Sequence, residues 1–150
     1  MKSCKSFFAS LAVGFILLSG CEKDSVGDVV PAAGVVTLDG KPISGVSITL
    51  VPQEGVMGRG GYGSTGEDGS FSLQSDTEVP GVPAGNYKML LQKYAMPDGS
   101  PIPPDTSAAD AGLVNLLPPV YSDPEQSTVF ITFPTSDGQP VKVDLKSRPR

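Results

Sequence analysis

Apolar and polar residues alternate in five short runs along this chain. An alternation with a period of two is the pattern of a β-strand that has one buried face and one face in water. The apolar members of the runs, which we expect to face the core, are Val46, Ile48 and Leu50; Phe71 and Leu73; Tyr87, Met89 and Leu91; Val129, Ile131 and Phe133; and Val141, Val143 and Leu145.

Residues that favour turns separate these runs. We expect turns at Asp39-Gly40, Asp68-Gly69, Gly85-Asn86 and Asp137-Gly138, because Gly and Asn tolerate a positive φ. The chain contains 18 Gly and 15 Pro, and short strands at this spacing are typical of sandwiches. The pattern therefore predicts an all-β fold, a seven-stranded antiparallel β-sandwich with Greek-key connections of the immunoglobulin-like kind.

One proline-rich segment, residues 96–119, is too long for a hairpin connection. Within residues 105–117, Ser107 and Asp110 have the spacing of a weak capping box, and the leucines that follow have helical spacing before a proline. One short helix is therefore an expectation here. An irregular strap whose leucines cover one end of the sandwich is an equally supported alternative.

The first 20 residues have the order of a secretory signal peptide. Lys2 and Lys5 precede an apolar run of 12 residues from Phe7 to Leu18, and small residues follow. A bilayer-spanning helix needs about 20 apolar residues. A cleavable signal is therefore favoured over a permanent transmembrane helix.

The stretch Leu18-Ser19-Gly20-Cys21 resembles a bacterial lipobox. The resemblance implies diacylglyceryl transfer to the Cys21 thiol, cleavage between Gly20 and Cys21, and acylation of the new amino group. An ordinary signal peptide with a cysteine near its cleavage site is the alternative. Two or more acyl chains make anchoring stable, so we expect a folded domain held at a membrane.

Three parts follow along the chain: a signal at 1–20, a lipidated N-terminus and tether at 21–32, and one domain at 33–147. Processing of this kind leaves no free thiol for a disulfide, a metal or a nucleophile, because Cys4 leaves with the signal and Cys21 is modified. Nine basic and 16 acidic residues remain, a net charge of about −7. This acidity argues against nucleic acid as a partner.

Three stretches carry a resemblance to a known family: GVVTLDGKPISGVSITLVP from Gly34, STGEDGSFSL, and VPAGNYKMLL. Together they resemble the carboxypeptidase regulatory-like domains, which are transthyretin-like sandwiches, over residues 34–93. The zinc peptidase in the family's title is a separate domain. The resemblance thus implies a fold and no chemistry, while the residues themselves suggest that the Tyr87 ring enters the core and its hydroxyl meets the backbone.

The chain contains no histidine, which excludes Ser-His-Asp and Cys-His triads and most transition-metal sites. Hydrolysis by two carboxylates remains open, although most carboxylates lie in or beside turns. Calcium is the best metal candidate, with Glu67, Asp68, Asp76 and Glu78 as weak candidate ligands. The spacing of a dedicated calcium loop is missing, and Gly66 stands where the family pattern usually has an aspartate.

A glycine-rich loop with Arg59 and Tyr62 is a candidate binding tip. Sugar platforms favour exposed aromatic side chains, and Tyr62, Tyr94 and Tyr121 are the candidates. We therefore expect a non-catalytic, lipid-anchored sandwich in the bacterial cell envelope, at the cell membrane or outer membrane. It would need no cofactor and would contact an envelope protein or glycan. A carbohydrate- or calcium-binding module and a carboxylate-dependent hydrolase are the alternatives.

Replacing the lipobox cysteine tests the anchor. The Cys21→Ala precursor should stay uncleaved and unlipidated, because the thiol that accepts the diacylglyceryl group is gone. The mobility of the protein on a gel and its incorporation of labelled fatty acid measure both effects. Normal processing of Cys21→Ala would contradict the lipobox.

Overall fold

A computed structural model describes residues 28–75, 78–106 and 112–149. The predicted signal at 1–20, Cys21 and the first part of the tether lie outside these residues. The strands are β1 (Val29–Val30), β2 (Ala33–Leu38), β3 (Lys41–Pro42), β4 (Ser47–Pro52), β5 (Gly61–Ser64), β6 (Ser70–Ser72), β7 (Gln74–Ser75), β8 (Val82–Pro83), β9 (Gly85–Gln92), β10 (Tyr94–Ala95), β11 (Val114–Asn115), β12 (Phe130–Phe133) and β13 (Val141–Leu145), with one turn of 3-10 helix, η1 (Pro119–Tyr121).

Two sheets form the sandwich, and the all-β prediction is confirmed. Sheet I has the strand order β12-β9-β4-β5-β7, and sheet II has the order β13-β2-β3 with β6 also paired to β2. Two short pairs, β1 with β8 and β10 with β11, stand beside them. The sheets enclose one hydrophobic cluster.

The predicted core faces are confirmed by burial. The apolar members of the runs in β4, β6, β9 and β13 are buried, and Val129 and Ile131 are partly buried at the edge of the cluster. Burial of an apolar side chain of this size stabilises a fold by about 1.5–3 kcal/mol relative to exposure. The period-two alternation therefore identified the side chains that hold the two sheets together.

One strand pair departs from the antiparallel prediction. β13 runs parallel to β2, with Val141 opposite Gly34 and Leu145 opposite Leu38. The structure also divides the predicted seven strands into thirteen shorter ones. Alternation reports which side of a strand is buried, whereas neighbour and direction depend on how residues 134–140 cross from sheet I to sheet II.

The predicted turn at Gly85-Asn86 is wrong. Gly85 begins β9 and pairs with Phe133, at a φ of 150°. A Cβ at Gly85 would lie 2.5 Å from a methyl carbon of Val56. A close approach of the loop before β5, and not a reversal of the chain, explains this glycine.

The helix expected within residues 105–117 is absent from the part of that segment that the structure describes. Ser107 and Asp110 lie outside the described residues, while Val114 and Asn115 are extended and pair with Ala95 and Tyr94. Leu117 is buried. The strap alternative therefore fits the described residues better.

The expected role of Tyr87 is confirmed. Its side chain is fully buried, and its hydroxyl donates to the Pro83 carbonyl at 2.6 Å. Burial raises the pKa of this phenol above its ordinary value. The bond connects the start of β9 to β8, because Tyr87 belongs to β9 and Pro83 belongs to β8.

The start and the end of β9 define two ends of the sandwich, called here the N-terminal end and the far end. At the N-terminal end, the Ala84 amide donates to the Asp28 carbonyl at 3.0 Å, beside the start of β9. At the far end, β9 leads into β10. β9 has 8 residues, which separate the ends by about 25 Å. No helix among the described residues is long and apolar enough to cross a membrane.

Two phenylalanines provide a matched test of the core. Phe71→Ala should lower the free energy of unfolding by about 3–5 kcal/mol, because Phe71 is 4% exposed, whereas Phe130 is 61% exposed and Phe130→Ala should have a small effect. Chemical denaturation measures both. Equal losses from the two variants would contradict the assigned faces.

Candidate functional site

The acidic hairpin, residues 64–73, is closed by hydrogen bonds within the hairpin. One Asp68 carboxylate oxygen accepts the Ser70 amide at 3.0 Å and the Ser70 hydroxyl at 2.6 Å. The Gly69 amide donates to the Gly66 carbonyl at 3.0 Å, and the Gly66 amide donates to the Ser70 carbonyl at 2.8 Å. Asp68 therefore stabilises a turn, as its sequence context predicts.

The hairpin docks on β2 through Gly69. The Val36 amide donates to the Gly69 carbonyl at 2.8 Å. Gly69 has a φ of 74°, and a Cβ there would lie 2.5 Å from the Val36 carbonyl oxygen. Only glycine fits both the conformation and the close approach.

Three other aspartates form the same kind of turn. In each, a carboxylate oxygen accepts the backbone amide two residues later: Asp98 from Ser100 at 2.9 Å, Asp123 from Glu125 at 2.8 Å and Asp137 from Gln139 at 3.1 Å. This arrangement is the Asx turn. The prediction that carboxylates serve the turns is confirmed at these positions.

Hydrogen bonding lowers the pKa of several carboxyl groups below the ordinary value. The Ser70 hydroxyl and amide have this effect on the pKa of Asp68, and Ser100 has it on the pKa of Asp98. For Asp144, bonds from Lys146 and Thr37 lower the pKa. A carboxyl group of this kind stays ionised and is a poor proton donor near neutral pH.

The weak calcium candidates do not assemble into a site in the residues that the structure describes. No group of three or more His, Cys, Asp or Glu residues there is placed to hold a metal. Asp68 has a structural role in its turn, while Glu67 and Glu78 are exposed. Asp76 lies outside the described residues.

Tyr62 lies within β5 and not in a loop, so its predicted loop position is wrong. It pairs with Thr49 on one side and Gln74 on the other, and its side chain is 42% exposed. A Cβ at Gly61 would lie 2.5 Å from a Val82 methyl carbon. Packing of a strand against its neighbours explains this glycine. Arg59 lies in the connection before β5 and is exposed.

Tyr121 is buried, so its prediction as an exposed platform for a partner is wrong. Its hydroxyl accepts the Lys146 amide at 2.9 Å and lies 3.3 Å from the Lys146 carbonyl oxygen, to which it can donate. Tyr121 therefore links η1 to the residue that follows β13. Tyr94, by contrast, is 44% exposed on the far-end arm formed by β10 and β11, with Val114 and Leu116 also exposed.

An open cleft of about 720 Å³ lies along one side of the sandwich. Its lining comes from β12, the start of β13, the loop between them and Val35 of β2, which pairs with Lys142. Phe130 stands at this lateral cleft with the Lys88 ammonium 5.4 Å from its ring centre, and Lys88 also donates to the Pro124 carbonyl at 2.7 Å. Ile131 and Val141 supply apolar lining.

Sequence reasoning missed the lateral cleft. The sequence predicted which faces of β12 and β13 point to the core. The cleft, however, lies where each of these strands is the last strand of its sheet. Alternation carries no signal for an unpaired strand edge. The sequence held one signal for the cleft: Phe130, a large apolar residue, occupies an outward position in the run that contains Ile131 and Phe133.

Comparisons with protein-family models, with curated proteins and with solved structures give no match. The resemblance to carboxypeptidase regulatory-like domains stays a prediction. Function is therefore inferred from the geometry of this chain.

Two Asp-Gly turns allow a matched test of the acidic hairpin. Gly40 has a φ of 80° and Gly69 a φ of 74°, but a Cβ at Gly40 would meet nothing within 4 Å. Gly40→Ala should cost about 1–2 kcal/mol of unfolding free energy from backbone strain alone. Gly69→Ala should cost clearly more, because its Cβ meets the Val36 carbonyl. Thermal denaturation compares them, and equal costs would contradict the docking role.

Proposed function

We propose that this chain is a lipid-anchored, non-catalytic interaction module of the bacterial cell envelope, which holds a partner in the lateral cleft. The observation that carries the proposal is the cleft itself. Its lining includes β12 and β13, which are terminal strands of the two sheets among the described residues, and Phe130 in that lining is 61% exposed. Large exposed aromatic side chains are enriched where proteins bind partners.

The lateral cleft combines apolar and polar groups. Ile131 and Val141 supply apolar surface, while Gln139 and Lys142 supply an amide and an ammonium group. A few polar groups around an apolar floor favour specific binding, because they fix the orientation of what binds. This composition supports the interaction role.

The carboxylates support a non-catalytic role. Two-carboxylate hydrolysis requires one carboxyl group with a raised pKa as the general acid. The carboxyl groups whose pKa is displaced in the described residues are displaced downward, by hydrogen bonds in turns or by neighbouring side chains. Such groups favour structure over proton transfer.

We also propose that the sandwich is of the carboxypeptidase regulatory-like kind. The hairpin at Asp39-Gly40 and the buried hydroxyl bond of Tyr87 support this assignment, because both match the positions that carry the resemblance. The lipobox at Cys21 supports the membrane location.

A glycan is the second candidate partner. Tyr62 supports it, because its ring stands on the outer face of sheet I between the polar side chains of Thr49 and Gln74. An exposed ring beside hydrogen-bonding groups suits stacking against a sugar. Such a ligand would bind on the sheet face and not in the lateral cleft.

Site-specific photocrosslinking in intact cells tests the interaction role. A photoreactive amino acid at Gln139, in the lateral cleft, should give a defined adduct with an envelope component, because the partner occupies that cleft. The same group at Met57, which is 59% exposed and is not among the residues that line the cleft, should give none. Gel mobility and mass spectrometry identify the adduct.

Variants in the same assay show which surface of the sandwich the partner contacts. Ile131→Asp should abolish the Gln139 adduct, while Tyr62→Ala should leave it unchanged. A photoreactive group at Tyr94 reports on the far-end arm. An adduct from Tyr94 or Met57 alone would overturn docking in the cleft. Binding of the chain to a glycan array that Tyr62→Ala abolishes, with no adduct at Gln139, would favour the glycan.

A further inference from the structure

The two walls of the lateral cleft differ in how well they are protected. β12 pairs only with β9, and β13 pairs only with β2, among the residues that the structure describes. Each strand therefore has one free edge. A free edge presents backbone amides and carbonyls that another strand can bind.

The free edge of β13 is guarded. β13 carries two charged side chains, Lys142 and Asp144. The Asp144 carboxylate accepts the Thr37 hydroxyl of β2 at 2.8 Å and forms an ion pair with Lys146 at 3.0 Å. Beyond the end of the strand, the Lys146 amide already donates to the Tyr121 hydroxyl at 2.9 Å. Charged side chains and covered backbone groups are the means by which proteins block strand edges.

The free edge of β12 has none of these protections. The Met89 amide donates to the Val129 carbonyl at 2.8 Å, and Ile131 and Phe133 continue that register against β9. In an antiparallel ladder alternate residues turn their backbone groups to opposite sides. The amides and carbonyls of Phe130 and Thr132 therefore face away from β9, and β12 contains no charged residue.

The charged side chains of the lateral cleft indicate which ligand side chains it would favour. The Asp137 carboxylate accepts the Gln139 amide at 3.1 Å, whereas Lys142 has no ion pair among the described residues. An acidic side chain on the ligand would complement Lys142. The apolar surface of Ile131 and Val141 lies in the same cleft and suits an apolar side chain.

We propose that the lateral cleft binds an extended polypeptide segment of a partner protein, which adds as a strand to the free edge of β12. Its backbone bonds to Phe130 and Thr132, its inward side chain is apolar, and an acidic residue faces Lys142. Strand addition of this kind obtains affinity from backbone bonds and specificity from alternate side chains. The inference rests on the interaction role proposed above and names its ligand.

A synthetic peptide of about six residues, alternating valine and threonine and ending in glutamate, is the probe. Its fluorescence anisotropy is measured with the full chain in detergent. We expect saturable binding, with slower hydrogen exchange at the amides of Phe130 and Thr132. The same peptide with alternate amides methylated should bind at least about tenfold more weakly, because its backbone donors are lost.

Variants of the edge supply matched controls. Thr132→Pro removes an amide that faces the cleft and no backbone bond to β9, so it should weaken binding by at least about tenfold while the chain stays folded. The 2.6 Å bond from the Thr132 hydroxyl to the Asn86 side chain of β9 is lost in Thr132→Pro and in Thr132→Ala alike. Thr132→Ala keeps the amide and should bind as the wild type does. Lys142→Gln should remove the preference for glutamate over glutamine in the peptide. Thermal denaturation checks the fold of each variant.

Equal binding of the methylated peptide, or no binding of either peptide, would overturn strand addition, and this comparison holds even if Thr132→Pro fails to fold. Dimerisation of the chain that Thr132→Pro abolishes would identify a second copy as the occupant and would also overturn the proposal. A Gln139 crosslink in cells that persists despite failed peptide binding would leave the interaction role standing. Absence of both the Gln139 crosslink and peptide binding would overturn the interaction role and strand addition together.

Discussion

The antiparallel ladder between β4 and β9 is the interaction on which the rest of the fold depends. It pairs six residues, from Ser47 opposite Gln92 to Pro52 opposite Tyr87. Five inward side chains along it are exposed at 1% or less: Ile48, Leu50, Tyr87, Met89 and Leu91. β9 then supplies its other edge to β12, and β4 supplies its other edge to β5. Sheet I is thus assembled outward from this pair, and sheet II covers its apolar face.

Much of the core could be predicted because its physical signal is local. Burial of every second residue in β4, β9 and β13 appears directly as alternation in the sequence, and glycine after aspartate marks a turn. The hydroxyl bond of Tyr87 was also predictable, because a buried phenol requires a nearby acceptor. These features depend on neighbours within a few residues along the chain.

The features that sequence reasoning missed depend on contacts between distant residues. Tyr121 was expected at the surface as one of three candidate aromatic platforms, yet its hydroxyl bonds to Lys146, 25 residues later. Gly85 was expected in a turn because Gly and Asn tolerate a positive φ, whereas the constraint on it comes from Val56 across space. The lateral cleft depends on which strands end their sheets, and no short pattern records that.

The parallel pairing of β13 with β2 also determines where the chain leaves the sandwich. Because Leu145 lies opposite Leu38, β13 ends at the far end, about 25 Å from the end that carries Asp28. An antiparallel β13 would have returned the polypeptide toward the lipid anchor that the sequence predicts. A segment that follows Ser147 would consequently begin at the end of the sandwich opposite Asp28.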